Sequence, residues 1–269
     1  MELNLVKKKA LGILMAAVVA ALLSCSSAIA RPPSVATDLI TPGTLNVGSD
    51  IPYPPFEFRS DGEYDGFDID LVKALAKKLR LKVDVEDTAF DTIFTDLSQG
   101  DFDLVASATT ITPERARVVK FTKPIYDPQQ SLVTSRGSGI RSIRDLAGAK
   151  VGVQRFTSGA DFAENRTNSK RVIDYRNGQA VIRALRRGKV DAIIIDQPVI
   201  YFELAKKPSG LRVVRNFSTG ELYGYAVKKS SKSLLRGVNW AIDKVKADGT
   251  FRNIYRRWFG INPPSTLFR

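Results

Sequence analysis

The residues best placed to do chemistry lie in one stretch, Ser107-Ala108-Thr109-Thr110-Ile111-Thr112-Pro113-Glu114-Arg115. It follows the apolar run Phe102-Asp103-Leu104-Val105-Ala106, which reads as a buried strand. A short helix is expected next, with Thr112 as its cap and Pro113 at the first helical position. Hydroxyl side chains, a helix N-terminus and an arginine thus gather at one strand end. That set suits a carboxylate: a planar fork from Arg115, hydroxyl donors from Ser107 and Thr110, and backbone N–H groups.

Composition removes several competing chemistries. The 269 residues include no histidine, so Ser-His-Asp and Cys-His catalysis and the usual zinc and iron sites are excluded. The single cysteine, Cys25, lies in the leader, so neither a disulfide nor a thiol nucleophile is expected in the mature chain. No cofactor is called for. The formal net charge is +13, with the densest basic region running from Arg166 to Lys189. There is no basic helix with interleaved aromatics and no RNA-binding signature, so a solvated basic face is expected rather than a nucleic-acid partner.

The first residues read as a secretory signal, 1–30: Lys7-Lys8-Lys9, the apolar run from Ala10 to Leu23, then small residues. Two processing readings stand. Ala28-Ile29-Ala30 is an Ala-x-Ala cleavage site that would release a soluble periplasmic protein. Leu22-Leu23-Ser24-Cys25 resembles a lipobox, which would place a lipid anchor on Cys25. Residues 31–43, rich in Pro, Ser and Thr, are expected to form a flexible lead-in.

From there the chain alternates. Thr44–Ser49 is a strand, followed by a proline-stiffened loop that carries Asp50 and Tyr53. Gly66–Leu79 is a helix with Leu71, Val72, Leu75 and Leu79 on one face; Asp68 and Asp70 at its start could be a carboxylate pair for acid–base chemistry, but are read as capping residues that suit the helix dipole. Leu81–Glu86 is a strand and Phe90–Ser98 a helix. A second set follows from Gln130: strands over Gln130–Thr134, Val151–Gln154, Val172–Tyr175 and Val190–Asp196, with helices opened by Thr157-Ser158 and spanning Gln179–Arg187. The last third adds a strand over Leu222–Val227, a helix over Leu234–Lys246 and an aromatic helix with Phe251, Ile254, Tyr255, Trp258 and Phe259 inward. This alternation predicts an α/β fold with parallel-rich sheets.

An internal echo divides the chain. Leu97-Ser98-Gln99-Gly100-Asp101-Phe102-Asp103-Leu104-Val105 and Leu185-Arg186-Arg187-Gly188-Lys189-Val190-Asp191-Ala192-Ile193 share one spacing. Each feeds a strand whose carboxyl end carries polar residues: Ser107–Arg115 after the first, Asp196-Gln197 after the second. Ligands of open α/β sheets bind at that end, so two such ends imply a cleft.

These residues carry a family resemblance. Gly66-Phe67-Asp68-Ile69-Asp70-Leu71 through Leu79 resembles the signature of bacterial extracellular solute-binding proteins for polar amino acids. Thr110–Arg115 with Phe121-Thr122 resembles that family's carboxylate-binding segment, and Gly249-Thr250 through Tyr255 and Trp258-Phe259-Gly260 resembles its C-terminal end. The resemblance implies a two-lobe, periplasmic-binding-protein-like fold of type II, with hinge strands and an interlobe ligand cleft. Lobe one would comprise 44–124 and 225–269, lobe two 125–224. It implies a binding protein, not an enzyme, that takes a polar or basic L-amino acid and acts as a monomer with an ABC-transporter permease. A cyclohexadienyl dehydratase-like enzyme, or a ligand sensor for a membrane receptor, would use the same scaffold.

Position by position, the resemblance implies that Arg115 pairs with the ligand's α-carboxylate, helped by Thr110 and the N–H groups of Thr157 and Ser158. Asp196 would take the α-ammonium together with the Ala108 carbonyl. Tyr53 and Phe90 would sandwich the ligand side chain, Asp50 would offer it a polar contact, and Ser107 is a further contact. One position departs from the pattern. Relatives carry glycine before the threonine matched by Thr157, where this chain has Phe156 after Arg155, so the lobe-two loop is expected to have its own shape.

Overall fold

A computed structural model describes residues 32–206 and 210–268. The expected signal segment and Cys25 lie outside the described residues.

The first strands are β1 (Thr44–Ser49), the hairpin β2 (Phe58–Ser60) and β3 (Glu63–Asp65), and β4 (Lys82–Asp87). Between the hairpin and β4 lies α1 (Phe67–Leu79), whose face of Leu71, Val72, Leu75, Ala76 and Leu79 is buried at the spacing that periodicity predicts. Gly66 precedes it at φ 133°, and a β-carbon there would lie 2.1 Å from the Phe56 carbonyl oxygen. Only glycine fits, so the chain can tuck its loop under the helix start. Next come α2 (Ile93–Gln99), β5 (Leu104–Val105) and β6 (Val119–Phe121). The helix expected after Thr112 is a single 3-10 turn over Arg115–Arg117, although the Thr112 hydroxyl does accept the Arg115 N–H at 3.1 Å.

The second set is β7 (Gln129–Ser135), β8 (Lys150–Gln154), α3 (Ser158–Arg166), β9 (Arg171–Tyr175), α4 (Gly178–Arg186), β10 (Ala192–Asp196), α5 (Gln197–Lys206) and β11 (Leu211–Ser218). The chain then returns with β12 (Ala226–Lys228), α6 (Lys232–Ala247) and α7 (Thr250–Phe259). Neither α5 nor β11 is marked in the sequence by a clear apolar period; β11 is mostly half-buried and bulged near Val213–Arg215.

Among the described residues the strands form two five-stranded sheets, ordered β4-β1-β5-β12-β6 and β11-β7-β10-β8-β9. In the first, β1 runs parallel to β4 and β5, while β12 runs antiparallel to β5 and β6. In the second, β8 is parallel to β9 and β10, while β7 is antiparallel to β10 and β11. This is the mixed α/β, two-lobe arrangement. Tyr223 bridges both Thr110 and Tyr126, so two strands cross side by side between the lobes.

Two expectations are corrected. Asp68, expected to cap α1, lies in its first turn but makes no capping hydrogen bond there. It is buried, accepting the Ala108 N–H at 2.9 Å and the Tyr225 hydroxyl at 3.0 Å. The segment expected to be a flexible lead-in is instead docked along 32–43. Val35 is buried beneath Gly237, Asp38 accepts the Leu234 N–H at 2.8 Å, and the Ile40 N–H donates to Asp103 at 2.8 Å. Each contact satisfies a group that a free tail would leave to water.

Candidate functional site

The cleft between the sheets is assembled from strand carboxyl ends, where an open α/β sheet leaves room beside its helices. Beyond β1 stand Asp50 and Tyr53; beyond β5 stand Ser107, Ala108, Thr110 and Arg115. Beyond β8 stand Thr157 and Ser158, and β10 ends at Asp196. With Phe90 before α2, these ten residues surround one narrow cleft, which Glu57 and Gln154 also line. All ten positions singled out from the sequence are therefore brought together. Glu57 and Gln154 were missed. Gln154 carried a signal, being the polar residue that ends an apolar strand at its carboxyl edge. Glu57, inside a proline-rich loop, carried none.

On the first lobe, the Ser107 hydroxyl accepts the Asp50 N–H at 2.8 Å and donates to Glu57 Oε1 at 3.1 Å. Ala108 holds φ 44°, a left-handed conformation, with its N–H fixed on Asp68. Such strain persists only where neighbours over-determine it. Arg115 reaches back along its own segment, donating from Nη1 to the Thr110 carbonyl at 3.0 Å. Its guanidinium carbon lies 5.4 Å from the Phe90 ring centre and 5.2 Å from that of Phe94, a cation–π seat on two rings. Burial lowers its pKa from the ordinary arginine value, with Asp161 the first of several acidic neighbours opposing that shift. It stays a cation.

On the second lobe, Thr157 caps α3, accepting the Ala160 N–H at 3.1 Å, and leaves the helix start facing the cleft. Asp196 accepts Gln130 Nε2 and the Tyr53 hydroxyl, each at 2.5 Å. Burial raises its pKa, and the hydrogen bonds from Tyr53 and Gln130 oppose that rise.

Contacts run directly between the lobes. Thr110 and Ser158 share a hydroxyl hydrogen bond of 3.1 Å, Gln154 Nε2 donates to Asp50 at 2.8 Å, and Arg115 Nη2 donates to the Phe156 carbonyl at 2.9 Å. Burial pushes the Asp50 carboxyl up to about 6, the Gln154 donor partly offsetting it. Glu57 is raised well above the usual carboxylate range by burial and then by the neighbouring Asp68 carboxylate. The cleft thus offers the Arg115 guanidinium on one lobe and the Asp196 carboxyl group on the other, with the Asp50 and Glu57 carboxyl groups beside them.

Residues 45–261 match the profile of bacterial extracellular solute-binding proteins, family 3, and the chain belongs to that family. It is 32% identical over 221 residues to ABC transporter arginine-binding protein 1 of Escherichia coli (strain K12), covering 80% of this chain and 90% of the relative. Its fold is similar to that of an ancestral arginine-binding protein bound to arginine, with TM-score 0.77 and 38% identity over 81% of this chain and 99% of the other. An ancestral amino-acid-binding protein described as a precursor of cyclohexadienyl dehydratase is also similar, with TM-score 0.73 and 36% identity over 81% of this chain and 95% of that one.

Proposed function

We propose that this protein binds a polar L-amino acid with a basic side chain in the cleft and delivers it to the permease of an ABC importer. The observation that carries this reading is the placement of Arg115 and Asp196 on different lobes of one cleft. A zwitterion needs a cation and an anion a few ångströms apart, and one that touches both lobes favours the closed state by its differential affinity. Arg115 takes the α-carboxylate with Thr110 and the helix start at Thr157 and Ser158. Asp196 and the Ala108 carbonyl take the α-ammonium. Tyr53 and Phe90 enclose the side chain, with Asp50 as its counter-charge and Ser107 holding Asp50 in place. The relatives named for arginine support the choice of a basic ligand. The protein works as a monomer in the periplasm, free or anchored through Cys25; intact mass of the exported protein distinguishes the two.

Calorimetry against the twenty amino acids and ornithine tests the reading. Saturable binding of L-arginine, L-lysine or ornithine, with no heat from L-aspartate, is expected. Folded protein that gives no heat with any of them overturns it.

A second reading is favoured by one feature, the cleft-lining carboxyl of Glu57, whose pKa is raised by burial and by the neighbouring Asp68, the direction an acid catalyst needs. On that reading the scaffold dehydrates prephenate or arogenate, and the similar dehydratase precursor supports it. Formation of phenylpyruvate from prephenate would establish turnover; its absence leaves the binding function alone.

A further inference from the structure

The loop between β8 and α3 holds a left-handed backbone conformation at a residue whose ring is not buried, with only the Arg155 guanidinium carbon 5.9 Å from the ring centre. Phe156 has φ 61°, in the left-handed region that residues with a β-carbon rarely occupy. The residue is 67% exposed, so apolar burial does little to offset the strain. Within its own lobe the loop is held by the Arg155 N–H on the Tyr175 carbonyl at 3.0 Å and by the Thr157 cap, and two further contacts come from the other lobe. Arg115 Nη2 donates to the Phe156 carbonyl at 2.9 Å, and Arg155 pairs with Asp91 through Nη2 and Oδ2. The two arginines cross the cleft in opposite directions: Arg115 from the first lobe to the second, Arg155 from the second to the first.

Asp91 immediately follows the cleft wall residue Phe90, and Arg155 immediately follows the cleft residue Gln154. Neither Asp91 nor Arg155 is among the residues lining the cleft. Their side chains are 22% and 42% exposed, so the pair sits at the rim. Two residues after Arg155 the chain reaches Thr157, whose hydroxyl donates to the Gln154 carbonyl at 2.8 Å and caps α3. The turn is thereby closed on itself, and a force applied at Arg155 is transmitted to Thr157 and Ser158.

We propose that Asp91 and Arg155 are positioning residues: their ion pair spans the rim and holds the Arg155–Ser158 loop against Arg115, so that the two halves of the carboxylate site meet. A partly exposed ion pair shifts an equilibrium by about 3- to 5-fold, enough to set how long the cleft stays shut without touching the ligand. The inference rests on the binding reading for its role in the carboxylate site, but the strut itself concerns lobe closure and is measured without ligand.

The test therefore has two arms. In the first, Cys25→Ser protein carrying spin labels at Lys82→Cys and Lys170→Cys, both exposed and on different lobes, is measured by electron-spin distance spectroscopy without ligand. Asp91→Asn and Arg155→Gln should each lower the closed-to-open ratio about 3- to 5-fold. The double variant should be no worse than either single one, and the swap Asp91→Arg with Arg155→Asp should restore much of the ratio. In the second arm, stopped-flow mixing with L-arginine should show faster dissociation by a similar factor, with the association rate and melting temperature nearly unchanged. Ratios within 1.5-fold of wild type (roughly the noise of a weak surface pair), or effects that simply add in the double variant, overturn the proposal. If the first arm succeeds while L-arginine and the other amino acids give no signal, the strut stands and the binding reading fails.

Discussion

The two lobes contribute to the same cleft in different ways. The first lobe's side is braced from within. Ser107 bonds Asp50 and Glu57, Asp68 pins the Ala108 N–H, Tyr225 bonds Asp68, and Arg115 folds onto Thr110 and two rings. The second lobe's side finds many of its partners across the gap: Ser158 on Thr110, Gln154 on Asp50, Phe156 on Arg115, and Asp196 on Tyr53. The difference assigns an order of events. In the proposed function, a ligand carboxylate would land on a surface already organised by its own lobe, and the second lobe would complete its hydrogen bonds by closing. Preorganisation on one side limits the ordering cost of binding.

The largest effect expected from breaking the first lobe's side is Arg115→Ala. It leaves a carboxylate facing a drying cleft without its cation, and affinity should fall at least about 100-fold, or ~3 kcal/mol, by calorimetry. Unchanged affinity would remove Arg115 from the site.

A smaller effect is expected from obstructing closure while leaving both charged residues intact. A β-carbon on Gly178, at the start of α4, would lie 2.7 Å from Tyr53 Cε2 across the gap. Gly178→Ala should hold the lobes apart and weaken binding about 10-fold, while alanine itself suits a helix at least as well as glycine. The melting temperature without ligand should change little. A large loss of melting temperature with normal affinity would place the contact in the fold and not in closure.

Asp50 sharpens the comparison through pH. Its folded value of about 6 lies above the ordinary carboxylate value. Between about pH 4 and pH 6 the folded, ligand-free protein therefore holds a proton that the unfolded chain has released. That contribution to stability is present at low pH and is lost as pH rises through about 6. A cationic ligand side chain favours the ionised form, so binding expels the proton. Affinity for L-arginine should thus weaken about 5-fold as pH falls from 6 to 5, and Asp50→Asn should flatten the profile. A wild-type profile that is flat over this range would take Asp50 away from the ligand's charge.

Much of this arrangement could be read along the chain, because it depends on local rules. The face of α1 follows from its period. The polar stretch after Val105 follows from where a strand must end, and the echo around Gly100 and Gly188 exposed two equivalent strand ends. What could not be read depends on residues distant in sequence. Asp68 looks like any acid at a helix start until Ala108 and Tyr225 close on it. Glu57 looks like an ordinary loop acid until burial beside Asp68 raises its pKa. Val35 and Asp38 look like part of a tail until α6 arrives to cover them, some 200 residues later (Asp38 to Leu234 spans 196). The polar groups with the most influence on the cleft are those whose partners are supplied by folding, and no local pattern announces them.

The central claim is that a zwitterion is gripped by its carboxylate on one lobe and its ammonium on the other. The most direct measurement is a calorimetric comparison of L-arginine with agmatine, which lacks the α-carboxylate, and with the deaminated guanidino acid, which lacks the α-ammonium. Both analogues should bind at least about 100-fold more weakly than L-arginine, since each leaves one lobe's charge unpaired. An analogue that binds as tightly as L-arginine would contradict the two-lobe clamp.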